Sequence, residues 1–175
     1  MKSVSQRAVQ IKLVIFDVDG VLTDGRLYFG PDGDEYKTFH SRDGLGMNML
    51  QHSGILIGII TARTSQAVAK RMQGLGIEHL YQGQQNKLPA YQALLEKLSL
   101  QSQQVAYVGD DLIDLPIMRR VGLAVAVQDA HALVKQHSHW QTPHGGGQGA
   151  VRDVCELILE AQGQLVAQYQ QYLTD

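Results

Sequence analysis

The sequence predicts one α/β domain built on a doubly wound parallel sheet. Its length of 175 residues leaves room for one core, since a domain has roughly 150 residues. The chain contains short, nearly continuous apolar runs, which are typical of strands buried on both faces. Segments with helical spacing separate these runs, and such alternation of strands and helices is typical of a parallel sheet. We therefore treat residues 1–175 as a single domain.

Five strands are predicted in chain order, because each run is rich in branched or aromatic side chains and is short enough for a strand. They cover residues 13–16, 55–60, 80–81, 105–108 and 123–127, of which 80–81 is the weakest.

Helices are predicted between the strands. The clearest apolar stripe has the spacing i, i+3, i+4, i+7 and consists of Tyr91, Leu94, Leu95 and Leu98. Its helix is expected to begin near Lys87, close to a proline, which favours a helix start. Further helices are predicted before Gly54 and before Gly74, where glycine is a typical helix end, and another near Leu112.

Two segments lie outside this alternation. Two short apolar stretches flank the turn signal "GPDGD" and predict a β-hairpin over about 26–39, projecting from the loop after the first strand. An isolated two-stranded ribbon is marginal in water, so we expect another surface to cover its aromatic side chains. The C-terminal region 143–175 begins with the glycine-rich "PHGGGQGA", expected to be mobile without a ligand or partner, and continues into a helix.

Composition excludes several classes of function. Fifteen Lys and Arg against seventeen Asp and Glu give a net charge of -2, so no global positive field would attract nucleic acid. The longest apolar run, 55–60, is far below the roughly 18 residues of a membrane-spanning helix. Cys155 is the only cysteine, which excludes an internal disulfide and fits a reducing compartment. We expect a cytoplasmic protein with neither nucleic-acid nor membrane partners.

Acidic side chains follow two of the predicted strands. Asp17 and Asp19 stand in "DVDG" after the first strand, and Asp110, Asp111 and Asp114 stand in "GDDLID" after 105–108. Either motif alone is equally well explained as a turn or a helix cap. If the two strands are neighbours, the acidic ends converge and form the oxygen-rich site that Mg²⁺ prefers.

Thr61 in "ITAR" and Lys87 occupy the strand end and the helix start between those two motifs. In this order, "DVDG", "ITAR", the lone lysine and "GDDLIDLP" resemble the four motifs of the haloacid dehalogenase-like phosphohydrolases. The resemblance spans most of the chain. It implies a Rossmann-like core, a phosphomonoesterase activity and Mg²⁺ as cofactor.

The resemblance also implies residue roles. Asp17 is the expected nucleophile, which forms an aspartyl-phosphate, and Asp19 is the expected acid and base. The implied Mg²⁺ ligands are Asp17, the backbone carbonyl of Asp19, and Asp110, with Asp111 or Asp114 behind them. Thr61 and Lys87 would hold the phosphate, and cations near this group are needed because a carboxylate nucleophile and a phosphate dianion repel each other.

The intervals between the motifs are too short for a separate cap domain. The stretches "FDVDGVLTDGRLYF", "FHSRDGLGMNML" and "GGGQGAVRDV" are similar to a capless branch of the same family that acts on phosphate esters of sugar acids. This similarity implies an eight-carbon 3-deoxy sugar acid phosphate of lipopolysaccharide precursor synthesis as substrate. It also implies a homotetramer with the hairpins at its centre, substrate contacts from an adjacent subunit, and a C-terminal tail that can fold over a site.

A set of polar residues is implied around the sugar acid. Besides Asp19 and Lys87, the set contains His40, Ser41, Arg42, Asp43, Gly44, Asn48, Arg63 and Arg71. The arginines are suited to pair with the carboxylate of the substrate while Lys87 takes the phosphate. A solvated helix face explains Arg71 equally well. Two alternatives remain open, a phosphatase of a related nine-carbon sugar acid and a non-catalytic scaffold tetramer.

Overall fold

The central sheet has six parallel strands in the computed structural model, which describes residues 2–173. The strands are β1 (Leu13–Phe16), β4 (Leu56–Ile60), β5 (His79–Tyr81), β6 (Val105–Gly109), β7 (Leu123–Ala126) and β8 (Trp140–Gln141). Their order is β5-β4-β1-β6-β7-β8, and each adjacent pair is parallel. The doubly wound parallel sheet is thereby confirmed.

Helices cover both faces of the sheet, because the chain adds strands first on one side of β1 and then on the other. They are α1 (Val4–Ala8), α2 (Ser41–His52), α3 (Gln66–Gly74), α4 (Lys87–Leu98), α5 (Leu115–Met118), α6 (Ala132–Gln136), α7 (Ala150–Ala161) and α8 (Leu165–Gln170). The helix α7 packs against α1 and α2, whereas α4 packs against α5. None of the helices within residues 2–173 has the length and apolar character of a membrane-spanning helix.

The buried core explains why the strand predictions succeed. All residues of β1, β6 and β7 are buried, so these strands have no polar face and appear in the sequence as unbroken apolar runs. Ile55 lies just before β4, and Val127 lies just after β7. Four elements are not predicted by the sequence, because each has only two to six residues and is too short for a periodic pattern. They are β8, α1, α6 and α8.

The hairpin consists of β2 (Tyr28–Phe29) and β3 (Glu35–Tyr36), which pair antiparallel. Its strands are shorter than the predicted 26–39 ribbon, and several apolar side chains in them or next to them are exposed. Those side chains are Leu27, Tyr28, Phe29 and Tyr36. Within the described chain, this ribbon therefore carries apolar surface that folding has not removed from water.

The glycine-rich segment before α7 is packed against the loop that follows β1. The N–H of Gly146 donates to Oδ1 of Asp129 at 2.9 Å, and the N–H of Gly147 donates to the carbonyl of Val21 at 3.0 Å. A Cβ on Gly146 would overlap the carbonyl oxygen of Gly20. The segment is thus placed by specific hydrogen bonds, and its mobility without a ligand or partner stays a prediction.

Candidate active site

The carboxyl ends of β1 and β6 meet at one edge of the sheet. Asp17 directly follows β1 and Asp110 directly follows β6, and these two strands are neighbours. From β1 the chain adds strands first on one side of the sheet and then on the other. Ligands bind at such a switch point in open α/β sheets. A cavity of about 180 Å³ opens there, lined by Asp17, Asp19, Thr61, Ala62, Arg63, Asp110, Asp111 and Ile113.

Three carboxylates converge at the base of this cavity. Asp17, Asp110 and Asp114 each have an oxygen within 4.8 Å of the others. Burial, together with the negative charges of Asp17 and Asp114, raises the pKa of Asp110 to about 8. Burial and Asp114 also raise the pKa of Asp17 to about 6, although Lys87 opposes this rise. Without a cation, the cluster therefore favours protonated carboxyl groups.

The cluster fits a hard divalent cation such as Mg²⁺. Oδ1 of Asp110 is buried and has no hydrogen-bond partner among residues 2–173, and a buried carboxylate oxygen without a donor is costly. Gly20 faces this carboxylate, and a Cβ at that position would overlap it, so glycine keeps the carboxylate in place. Oxygen ligands and excess negative charge are what Mg²⁺ requires.

Asp114 is the most deeply buried member of this cluster. It is fully buried, and its Oδ1 accepts from Lys87 Nζ at 2.7 Å and from the Tyr107 hydroxyl at 2.6 Å. Its Oδ2 accepts from the backbone N–H groups of Asp110 at 3.0 Å and Asp111 at 3.2 Å. Because donors already occupy both oxygens, Asp114 orients Lys87 and the Asp110 loop. Asp111 instead caps the following turn through the N–H of Leu112.

Lys87 begins α4 and points into the site. Its Nζ lies 2.7 Å from Oδ1 of Asp17 and 2.7 Å from Oδ1 of Asp114. Burial disfavours the ammonium ion, but the two carboxylates raise the pKa of Lys87 above its ordinary value. The lysine is therefore charged and fixed beside Asp17.

Thr61 is placed by the end of β4. It is buried, its N–H donates to the carbonyl of Tyr81 at 3.0 Å, and its carbonyl accepts from Gln84 at 2.9 Å. With its backbone fixed on both sides, its side chain lines the cavity beside Asp17. The structure thus brings together five residues that the motifs single out, namely Asp17, Asp19, Thr61, Lys87 and Asp110.

One site residue that the sequence does not predict is Lys37, which follows β3 of the hairpin. Its side chain is only 1% exposed, and its ammonium group bonds to Oδ1 of Asp19 and lies 3.3 Å from Oε1 of Glu35. Arg63 donates to the same Glu35 oxygen at 2.9 Å. Burial opposes ionisation, but the bonds from Lys37 and Arg63 lower the pKa of Glu35. In the sequence, Lys37 looks like any solvated lysine of a ribbon.

Several residues predicted to surround the sugar acid lie outside the cavity lining. His40 caps α2, and α2 itself carries Ser41, Arg42, Asp43, Gly44 and Asn48. Arg42 lines a separate cavity of about 410 Å³ beside the N-terminus of α7. Of the predicted arginines, only Arg63 lines the cavity that holds Asp17.

Asp43 of the predicted substrate set is buried between α2 and α7. It is 1% exposed, and its Oδ1 accepts the N–H of Arg152 at 2.9 Å, which satisfies a free donor at the start of α7. Burial raises the pKa of Asp43. The residue therefore joins α2 to α7 in this structure and does not face the cavity.

Arg71 also lies outside the cavity lining. Its guanidinium carbon is 6.0 Å from the centre of the Phe39 ring, and a Cβ on Gly44 would overlap its Nη2 atom. The side chain thus packs at the base of the hairpin, which differs from the solvated helix face that the sequence left open.

Comparison with known proteins gives a consistent picture. The family model of haloacid dehalogenase-like hydrolases matches residues 77–152. The chain is 54% identical over 162 residues to the 3-deoxy-D-manno-octulosonate 8-phosphate phosphatase KdsC of Yersinia pestis, covering 93% of this chain and 87% of that protein.

Solved structures agree with this similarity. A probable YrbI family phosphatase from Pseudomonas syringae superposes with a TM-score of 0.97 at 53% identity, covering 98% of each chain. The 3-deoxy-D-manno-octulosonate 8-phosphate phosphatase of Moraxella catarrhalis superposes with a TM-score of 0.95 at 43% identity, covering 97% of each chain. The Moraxella crystal structure is a complex with a magnesium ion, a phosphate ion and a KDO molecule.

Proposed function

The chain belongs to the haloacid dehalogenase-like hydrolases, and on that premise we propose that it is a Mg²⁺-dependent phosphomonoesterase. Its proposed substrate is 3-deoxy-D-manno-octulosonate 8-phosphate, which it hydrolyses to the free sugar acid and phosphate. The observation that carries this proposal is the cluster of Asp17, Asp110 and Lys87 at the switch point of the sheet, in a chain 54% identical to a phosphatase of that name. The reaction supplies a precursor of lipopolysaccharide.

Asp17 is the proposed nucleophile. One of its carboxylate oxygens attacks phosphorus, the bond from phosphorus to the sugar oxygen breaks, and an aspartyl-phosphate forms. Asp19 gives its proton to the departing sugar oxygen. It then removes a proton from the water that attacks the aspartyl-phosphate, which releases phosphate and restores the Asp17 carboxylate. Asp19 therefore loses one proton in the first step and regains one in the second.

Positive charge is required at this site, since a phosphate dianion meets a cavity already rich in carboxylates. Lys87, held by Asp17 and Asp114, and the Thr61 hydroxyl are proposed to bind the phosphate oxygens. Asp17, Asp110 and the backbone carbonyl of Asp19 are proposed to hold Mg²⁺. The ion supplies charge that offsets the repulsion between Asp17 and the phosphate.

Substrate selection is proposed to depend on the arginines and on α2. Arg63 lines the cavity and is proposed to pair with the carboxylate of a sugar acid. His40, Ser41, Arg42, Asp43, Gly44, Asn48 and Arg71 are proposed to contribute where a second subunit completes the site. That assembly is a homotetramer joined through the hairpins, supported by the exposed aromatic side chains of β2 and β3. The lone, buried Cys155 is consistent with the reducing cytoplasm, where we place the enzyme.

Phosphate release from a panel of phosphate esters, with and without Mg²⁺, tests the proposal. The panel contains 3-deoxy-D-manno-octulosonate 8-phosphate, a nine-carbon sugar acid phosphate and common sugar phosphates. We expect the highest kcat/KM for the first compound, loss of activity in excess chelator, and recovery with Mg²⁺. Preference for the nine-carbon acid would reassign the substrate.

A variant pair tests whether the chain is a catalyst at all. Asp17→Asn removes the nucleophile, and we expect turnover to fall below detection with the fold intact. Asp32→Asn changes the same functional group at an exposed position in the hairpin turn and should retain activity. Wild-type protein without activity on any ester would instead favour the non-catalytic scaffold.

A further inference from the structure

We propose that Lys37, carried by the hairpin, is a positioning residue that holds the Asp19 carboxyl group in line with the departing sugar oxygen. This inference rests on the proposed phosphatase reaction and adds to it a residue outside the four motifs. It also gives the hairpin a second purpose besides subunit contact.

Lys37 contacts Asp19 directly. The Lys37 ammonium group bonds to Oδ1 of Asp19, and the lysine side chain is 1% exposed whereas that of Asp19 is 19% exposed. Lysine is rarely buried unless it is paired, because its ammonium group loses hydration. Pairing with this buried lysine therefore fixes Oδ1 of Asp19, and the proton that Asp19 gives to the departing sugar oxygen is carried by its other carboxyl oxygen.

The two carboxylates of "DVDG" pair with two different lysines. Lys87 approaches Asp17 from α4, whereas Lys37 approaches Asp19 from the hairpin. If one lysine served both carboxylates, they would converge on it. Two separate lysines instead hold Asp17 for attack and Asp19 for proton transfer.

An ion pair between Glu35 and Arg63 braces the end of the hairpin that carries Lys37. Glu35 of β3 lies 3.3 Å from the Lys37 ammonium and accepts from Arg63 at 2.9 Å and 3.2 Å. Arg63 follows β4, so the rigid sheet fixes the ribbon through Glu35. Proton transfer needs placement to within hydrogen-bond reach, and this brace supplies it from an element that would otherwise be free to tilt.

Dependence on the leaving group separates a role at Asp19 from a general structural role. The kcat/KM value covers steps up to formation of the aspartyl-phosphate, in which Asp19 acts only as an acid. A sugar alkoxide needs that proton, whereas p-nitrophenolate leaves without it. We expect Lys37→Met to lower kcat/KM for the sugar acid phosphate by about 10- to 100-fold, as for a misplaced acid, and for p-nitrophenyl phosphate by less than about threefold.

Further variants make the comparison sharp. Asp19→Asn should show the same contrast between the two substrates, and Lys37→Arg should restore most of the loss because arginine also pairs with a carboxylate. Glu35→Gln weakens the brace but leaves Lys37 beside Asp19, so the ratio of the two kcat/KM values should change less than in Lys37→Met. Lys97→Met makes the matched change on the exposed face of α4 and should have no effect.

An equal loss on both substrates, or no loss on either, would overturn the proposal. If Lys37→Met does not fold, Lys37→Gln serves for the same comparison, with circular dichroism as the check. If wild-type protein rejects the sugar acid phosphate but hydrolyses another alkyl phosphate, the proposed substrate fails. The role of Lys37 is then judged on that alkyl ester against p-nitrophenyl phosphate.

Discussion

Asp114 shows how one buried charge organises the site. Lys87 and Tyr107 donate to one of its oxygens, and the amides of Asp110 and Asp111 donate to the other. A buried carboxylate is tolerated only when donors surround it. Any loss of a donor therefore reaches both the phosphate-binding lysine and the metal-binding loop.

Tyr107→Phe tests this arrangement. The Tyr107 hydroxyl is buried and donates to a charged group, so we expect its loss to lower the free energy of unfolding by about 2 kcal/mol. Tyr91→Phe is the matched control, because that hydroxyl donates to the neutral Ser102 at 2.8 Å and its loss should cost about 1 kcal/mol. Urea denaturation measures both.

Activity distinguishes the two tyrosine variants further. Tyr107→Phe should lower kcat/KM because Lys87 and Asp110 lose a fixed partner, whereas Tyr91→Phe should leave it unchanged. Equal effects of both changes on stability and activity would show that Asp114 does not orient the site.

Among the elements, the glycine-rich segment before α7 is the one whose packing bears directly on the metal cluster. It lies on the loop that contains Gly20, and Gly20 in turn faces Asp110. The packing thus runs from the segment through a peptide group to a proposed metal ligand. Close approach of two backbones requires glycine, since any Cβ would separate them.

Gly146→Ala is expected to displace this segment, because the added methyl group overlaps the carbonyl of Gly20. We expect a loss of about 1–3 kcal/mol in stability, as for other overpacked sites, and weaker Mg²⁺ binding by calorimetry. Gly74→Ala is the control, since no atom lies within 4 Å of its added Cβ and alanine favours a helix by up to about 1 kcal/mol. Normal Mg²⁺ binding by Gly146→Ala would contradict the link.

The hairpin is the element expected to join subunits. Phe29 is 61% exposed at its surface, and exposed aromatic side chains on a two-stranded ribbon favour contact with another surface. We expect wild-type protein to be a tetramer by light scattering and Phe29→Asp to dissociate it. Val9→Asp, at a position 55% exposed just after α1, should leave the tetramer intact. A wild-type monomer would contradict the assembly.

For the whole molecule, the acidic cluster links stability to pH and to Mg²⁺. Folding raises the pKa of Asp17 from 3.8 to about 6 and that of Asp110 from 3.8 to about 8. Because the folded state holds these protons more tightly than the unfolded state, the metal-free protein loses stability as pH rises from about 4 to about 8. Mg²⁺ binds the ionised carboxylates, so protons compete with it below about pH 8.

Thermal unfolding tests this linkage. We expect a fixed concentration of Mg²⁺ to raise Tm more at about pH 8.5 than at about pH 6, since fewer protons must be displaced at the higher pH. Asp110→Asn should abolish both the gain and its dependence on pH. A gain of the same size at both pH values would show that these carboxylates do not hold the ion.

The sequence by itself determined five of the six strands of the sheet and the four motif positions. Strands such as β1 and β6 are buried on both faces, so their identity is written in local apolar runs, and the motifs directly follow or precede such elements. The residue types in the motifs also identified Asp17, Thr61, Lys87 and Asp110 as candidate site residues.

Only the tertiary structure decided which charged residues, distant in the sequence, pair with each other. In the structure, Asp114 and not Asp111 belongs to the cluster. Asp43 lies in the contact between α2 and α7, and Lys37 pairs with Asp19. The sequence could not decide these points, because an acidic or basic residue has the same local pattern whether it is solvated or paired. Pairing depends on which elements lie next to each other in space, and that is fixed by packing of the whole core.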